Sequence, residues 1–189
     1  MSLFDNYTFK HEEQQQSGPR RQYITEPGTH YLELADYDYL DGQFDEATGK
    51  NYKGKMGPAF TFVSVQSDAY AEGTRLNRMI DFSFVEDKPR SKADKDSHGN
   101  RLKAVQSEIG SVFVGLLEAA EIVKPGDDVP GEQIDAVMKD IDTVLTALKG
   151  KVVKCTAYHP KAKDGTMKGY TKEGFFTPYV NYRWTRDDR

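Results

Sequence analysis

The sequence is poor in cysteine and contains no long hydrophobic run. Its single cysteine, Cys155, excludes an intrachain disulfide and favours a reducing compartment. No apolar run approaches the roughly 18 residues that a transmembrane helix needs, and the first residues lack the apolar segment of a signal peptide. We therefore expect a cytoplasmic protein that does not insert into a membrane.

Motifs typical of enzymes and cofactor-binding proteins are also missing. The four histidines are scattered without metal-ligand spacing. There is no phosphate-binding glycine loop with its Lys-Ser/Thr, and no nucleophile elbow. Cys155 alternates with apolar residues, which favours a buried small hydrophobic residue over a nucleophile. These absences predict a protein without catalytic residues, cofactor or metal ion.

One acidic cluster keeps an enzymatic alternative open. Asp36, Asp38 and Asp41 lie close together in the sequence, and grouped carboxylates can hold calcium or magnesium. Their spacing does not fit an EF-hand loop, because Leu40 occupies the third ligand position. Asp36 and Asp38 also fall on one face of a predicted strand, where a solvated sheet edge is the more ordinary interpretation.

Charge is abundant but unevenly distributed. The chain is 37% hydrophobic and 30% charged, with a net charge of −4, which indicates a small core with long polar loops. Residues 151–189 carry nine Lys/Arg and four Asp/Glu, whereas the other 150 residues carry 17 and 26. This polarity is compatible with a polyanionic partner on one side of the molecule only.

Hydrophobic periodicity predicts a helical block over residues 101–148. Apolar residues recur at steps of three and four from Leu102 to Ala120, stop at Pro125-Gly126, and resume from Ile134 to Leu148. We therefore predict two helices joined by residues 124–130.

Alternating apolar residues predict strands on both sides of this block. Three strands precede it and two follow it, over residues 29–39, 58–66, 74–85, 151–158 and 175–184. This order is that of the OB-fold, a five-stranded Greek-key barrel that binds oligonucleotides or oligosaccharides. An α+β sandwich with the helices on one sheet face is the alternative.

We accordingly predict a mainly β fold with a helical insertion. It is an OB-fold-like five-stranded barrel over residues 27–185, with two helices between strands three and four, preceded by a flexible N-terminal arm over residues 1–26. Most phenylalanines should fill such a small barrel. Phe60, Phe62, Phe82 and Phe84 are the candidate core residues.

Basic and aromatic residues concentrate where an OB-fold binds its ligand, on strands two and three and on two of its loops. Single-stranded nucleic acid is held by cations that follow phosphates and by rings that stack on bases. The predicted binding surface consists of Tyr52, Lys53, Lys55, Arg75, Asn77, Arg78, Lys154, Lys163, Lys168, Tyr170, Lys172, Tyr179 and Arg183. The loop over residues 161–174 is the leading candidate, because it combines glycines, an aromatic ring and four lysines.

Several short motifs carry a family resemblance. They are Pro27-Gly28-Thr29-His30-Tyr31, Phe60-Thr61-Phe62-Val63-Ser64-Val65, Leu116-Leu117-Glu118-Ala119-Ala120-Glu121-Ile122 and Leu148-Lys149-Gly150-Lys151-Val152-Val153. With these motifs the chain resembles phage-encoded single-stranded DNA-binding proteins of the OB-fold type. More closely, it looks like uncharacterised phage proteins from replication and recombination gene clusters.

This resemblance implies sequence-tolerant binding of single-stranded DNA in replication, repair or recombination, in the cytoplasm of an infected bacterial host. It also implies phage replication or recombination proteins as partners and a possible homodimer. Many such proteins end in a long acidic tail, whereas this chain ends Arg186-Asp187-Asp188-Arg189. Two alternatives remain open: a phage structural or assembly protein, and a metal-dependent nucleic-acid enzyme using the three aspartates.

Overall fold

The computed structural model describes residues 22–42, 44–45, 50–51, 54–86 and 91–189 of the chain. This part is a mixed α/β structure in which strands predominate. Tyr52 and Lys53, two of the predicted binding residues, lie outside the described residues, as does most of the predicted arm over residues 1–26.

A six-stranded sheet forms the body of the molecule. In spatial order its strands are β1 (Gln22–Tyr23), β6 (Arg75–Met79), β5 (Met56–Ser67), β2 (Gly28–Asp41), β7 (Val152–Tyr158) and β10 (Asn181–Arg186). Two small ribbons accompany it, one of β3 (Phe44–Asp45) with β4 (Lys50–Asn51), the other of β8 (Gly169–Lys172) with β9 (Phe175–Pro178). All neighbours in the large sheet are antiparallel except the β1–β6 pair.

The sheet is open, which corrects the predicted closed barrel. The first and fourth predicted strands, now β2 and β7, do pair, as a barrel of this type requires. The third and fifth, now β6 and β10, share no backbone ladder among the described residues. Two predicted strands are also shorter than expected. The third ends at Met79 and is followed by a 3₁₀ helix, Ser83–Glu86, and the fifth is divided into β9 and β10.

Side chains bring the two distant edges of the sheet together where backbone pairing does not. Phe62 on β5 and Trp184 on β10 stack with ring centroids 5.4 Å apart, although three strand steps separate them. The guanidinium of Arg78 on β6 lies 4.1 Å from the centre of the Tyr182 ring on β10. The Tyr182 hydroxyl donates to the carbonyl of Ile24, just after β1, at 2.6 Å. The sheet is therefore strongly curled.

The concave face of this sheet carries the core. Alternation along β5 turns Phe60 and Phe62 inward, where they are 1% and 0% exposed. Their rings stack with centroids 5.5 Å apart, and Phe60 also contacts Phe113 from the helical layer. Phe84 is buried too, whereas Phe82 is half-buried.

One glycine allows a close approach at the start of β5. Gly57 has a φ of +137°, and a Cβ added there would lie 2.1 Å from the carbonyl oxygen of Ile80. Any side chain at Gly57 would push the backbone at Ile80 away. The positive φ and the lack of room for a Cβ atom therefore both favour glycine at this position.

The helical block lies between β6 and β7, as predicted, but it consists of three helical segments rather than two helices, and they cover the concave face. They are α1 (Lys92–Ala119), α2 (Gly131–Lys139) and α3 (Ile141–Thr143), which runs directly into a π-helical turn, Val144–Leu148. None of the helices in the described part of the chain has the length and hydropathy needed to cross a membrane.

α1 begins nine residues before its predicted start. Residues 92–100 contain no apolar stripe, so periodicity could not reveal them. The Ser91 hydroxyl accepts a hydrogen bond from the Asp94 amide at 3.0 Å, a helix cap. The Ser-x-x-Asp spacing is visible in the sequence and would have placed the start.

The last residues of the predicted arm belong to the folded structure. β1 pairs in parallel with β6, and Ile24 is 1% exposed. The Tyr70 hydroxyl accepts hydrogen bonds from the amides of Thr25 and Glu26 at 2.8 and 2.9 Å. Residues 22–26 are thereby fixed against the β6 edge.

Candidate nucleic-acid interface

The ribbon of β8 and β9 lies at the basic end of the chain, and every residue of its two strands except Gly169 and Pro178 is exposed. Its strands are joined by Glu173 and Gly174, whose φ values of +53° and +81° are those of a two-residue type I′ turn. Such a turn matches the twist of an antiparallel pair, so the Lys-Glu-Gly-Phe sequence folds back on itself. The second part of the predicted loop, residues 169–174, therefore forms the first strand and the turn of a β-hairpin.

The register of the ribbon divides its side chains between two faces. Tyr170 lies opposite Thr177, and Lys172 lies opposite Phe175. Opposed residues in an antiparallel pair project to the same side. These four side chains thus form one surface, which we call the platform face. Tyr179, just past β9, joins it, because its ring centroid lies 6.1 Å from that of Tyr170.

The rings of the platform face lie in solvent rather than in the core. Phe175 is 77% exposed, Tyr170 51% and Tyr179 48%. The Tyr170 and Tyr179 rings are tilted by 37° to each other. Large apolar groups exposed together usually mark a binding surface.

Four lysines lie on the ribbon or shortly before it in the sequence. Lys161, Lys163, Lys168 and Lys172 are all exposed, and none forms an ion pair with another described residue. The stretch from residue 161 to residue 179 contains only two acidic residues, Asp164 and Glu173. The ribbon therefore offers uncompensated positive charge beside aromatic faces.

Two of the predicted binding residues, Arg75 and Asn77, lie on the convex face of β6. Arg75 is exposed, whereas Asn77 is half-buried and its side-chain oxygen accepts a hydrogen bond from the Thr61 hydroxyl at 3.1 Å. Lys55 is exposed immediately before β5. The structure does not bring this group next to the platform face within the described residues.

Arg78 points the other way, into the concave side. Its guanidinium donates to both carboxylate oxygens of Glu108 on α1, each at 2.7 Å. Glu108 also accepts a hydrogen bond from the Trp184 indole at 3.2 Å. Burial alone would lower the pKa of Arg78, but the hydrogen bonds and charge of Glu108 outweigh it and raise the pKa. This predicted binding residue is thus engaged in an internal ion pair.

Lys154 and Arg183 lie on the convex face of the other half of the sheet. Arg183 is exposed on β10. Lys154 pairs with Asp188 at 2.7 Å, and the Tyr31 hydroxyl donates to the same carboxylate at 2.6 Å. Both hydrogen bonds lower the pKa of Asp188, and the one from Lys154 has the larger effect. The C-terminal residues therefore cover Lys154.

Sequence reasoning missed the exposure of Phe175 and Phe176. The predicted fifth strand, residues 175–184, includes both, and a phenylalanine in a barrel strand is expected to be buried. The signal that could have placed them is the two-residue turn Glu173-Gly174 directly before them, which predicts a hairpin rather than the start of a core strand.

Neither the protein-family models nor the curated proteins compared with this sequence match it. The function must therefore be argued from the described residues themselves.

The enzymatic alternative gains no metal centre from the described residues. No group of three or more His, Cys, Asp or Glu side chains is placed there to hold a metal ion. Asp36 is exposed on the convex face of β2, opposite Thr61 on β5.

Cys155 is 0% exposed on β7, so the prediction of a buried hydrophobic residue is confirmed. Burial, followed by the charge of Glu108, raises the pKa of its thiol. We expect a thiol reagent to leave Cys155 unmodified in the native protein near neutral pH and to modify it fully in denaturant, because only the thiolate reacts. A chromogenic thiol assay measures the reaction. Rapid labelling of the native protein in that assay would contradict the buried position of Cys155.

Proposed function

We propose that this protein binds single-stranded DNA without sequence preference, through the platform face of the β8–β9 ribbon. One observation carries the proposal: three aromatic rings and a lysine share one exposed face, and three further lysines precede the ribbon in the sequence. Every base has a π-face, so stacking on exposed rings tolerates sequence. The lysines supply attraction to phosphates.

The order and pairing of the strands support an OB-type fold for the protein. β2 pairs with both β5 and β7, and helices connect the third strand to the fourth, as the OB topology requires. The ribbon lies between the fourth and fifth strands, in one of the loops that OB-folds use for ligands. We accordingly propose an OB-type fold, open between β6 and β10, acting in phage DNA replication, repair or recombination within an infected bacterial cell.

Titration of a fluorescent oligo-dT at several salt concentrations tests the proposal. Binding should weaken as salt rises, with a slope of log K against log salt of about −0.7 for each phosphate contact. Absence of any binding at low salt would overturn it. Stable self-assembly without DNA affinity would favour the structural-protein alternative, and magnesium-dependent loss of the oligonucleotide would favour the enzyme.

Removing one lysine from the ribbon should change the slope of log K against log salt by the contribution of one phosphate contact. Lys168→Ala and Lys172→Ala are each expected to weaken binding to all single strands alike and to flatten the slope by about one contact. Lys103→Ala is the matched control, because it removes one exposed positive charge from α1 instead. If all three variants keep the parent slope, the ribbon lysines do not contact phosphates.

A further inference from the structure

The ribbon has a second face that the platform does not use. Thr171 lies opposite Phe176, and Gly169 lies opposite Pro178. These four residues project to the side away from Tyr170 and Lys172, and none of them carries a charge. We call this surface the apolar face.

Phe176 is held in a defined position on the apolar face. A Cβ at Gly169 would lie 2.6 Å from the end of the Phe176 ring and 2.2 Å from the carbonyl oxygen of Thr177. The missing side chain at Gly169 thus lets the ring lie close against the backbone of β8. The ring is nevertheless 52% exposed. A large aromatic group fixed in this way loses little conformational entropy when a partner covers it.

The size of the apolar face limits what it can hold. It consists of one aromatic ring, a proline, a threonine and a glycine, on a ribbon four residues long on each side. A stable protein complex buries about 800 Å² on each partner, which exceeds what this surface offers. A permanent dimer through this face alone is therefore not expected. We expect instead a weak contact, which forms only when another interaction holds the two molecules close together.

We propose that two copies of the chain bound to one DNA strand pack together through their apolar faces, Phe176 against Phe176. This inference rests on the proposed function, since the strand supplies the high local concentration that a small contact needs. The distribution of charge favours contact through the apolar faces rather than through the platform faces. Packing through the platform faces would bring the lysines of two copies together, whereas packing through the apolar faces leaves both platforms outward and free for DNA.

The arrangement has a defined stoichiometry. A contact between identical surfaces is self-complementary and closes at two copies. A short oligo-dT that covers a single platform should bind one copy. A longer strand that reaches both platforms should bind two copies cooperatively, and the protein without DNA should remain monomeric at the same concentration.

Two adjacent phenylalanines on opposite faces provide a matched pair of variants. Phe176→Ser should bind short oligo-dT like the parent, but its affinity for the longer strand should fall about tenfold or more, with loss of the two-copy complex. Phe175→Ser removes an even more exposed ring, 77% against 52% for Phe176, from the platform face and should weaken binding to both strands. Thr171→Lys is a second test of the apolar face, because it sets like charges against each other there. Short-strand anisotropy and sedimentation velocity on the longer strand provide the measurements.

The outcomes separate this inference from the proposed function. If the parent binds short oligo-dT but stays a single copy on the longer strand, the pairing is overturned and DNA binding stands. If Phe176→Ser and Thr171→Lys both form two-copy complexes like the parent, the apolar face is not the contact. If the parent binds neither strand, DNA binding itself fails and the pairing with it.

Discussion

Replacing Tyr170 with Ala is expected to weaken binding of oligo-dT by roughly 1–3 kcal/mol, the range for loss of one base–aromatic stack. The salt slope should stay unchanged, because no charge is removed. Stability should stay unchanged as well, since the ring is 51% exposed on a ribbon that projects from the sheet. The affinity and the slope come from one titration series, and the melting temperature from circular dichroism.

Tyr170→Phe is the control for this experiment. It keeps the ring and removes only the hydroxyl, so it should bind like the parent if stacking is the interaction. Adding Tyr179→Ala to Tyr170→Ala should weaken binding further. The two effects need not add, because the rings lie 6.1 Å apart and can contact neighbouring bases. A Tyr170→Ala protein that binds oligo-dT with the parent affinity would remove the platform face from the proposal.

The elements that could be predicted from the sequence are those whose pattern depends on burial of one face. Phe60 and Phe62 alternate with half-buried residues because β5 has one side against the core. Ile109, Val112 and Leu116 recur at helical steps because one side of α1 faces the sheet. Where no face is buried, as in residues 92–100 and in the ribbon, hydrophobic pattern carries no signal, and only caps and turns do.

The closure of the sheet and the role of Arg78 could not be predicted in this way. Both depend on which residues meet across the fold. Arg78 and Glu108 are 30 positions apart and belong to different elements, and nothing local distinguishes Arg78 from the exposed Arg75. A basic residue on a strand is therefore only a candidate for phosphate binding until its face is known.

The ion pair of Arg78 and Glu108 gives the largest expected effect on stability. Both side chains are mostly shielded, with 23% and 16% exposed. They join β6 and α1, while Trp184 on β10 donates to the same carboxylate. The pair thus links the two edges of the open sheet at the place where a closed barrel would have a backbone ladder.

Glu108→Ala is expected to lower the free energy of unfolding by about 3 kcal/mol, the low end of the range for breaking a buried ion pair, since both groups keep some contact with water. For a chain of this length that corresponds to a fall in melting temperature of roughly 6–12 °C. The cost arises because Arg78 remains shielded from water without its partner. Asp135→Ala, which breaks the exposed pair with Lys139, is the control and should change the melting temperature little.

The double variant Arg78→Met with Glu108→Leu distinguishes the two roles that Arg78 can have. Replacing both charges by apolar side chains of similar size should recover much of the stability lost in Glu108→Ala, because no unpaired charge is left. Its affinity for oligo-dT and its salt slope, measured well below the melting temperature, should equal those of the parent. A slope flattened by one contact in this double variant would instead show that Arg78 contacts a phosphate, and the nucleic-acid interface would then include β6 as well as the platform face.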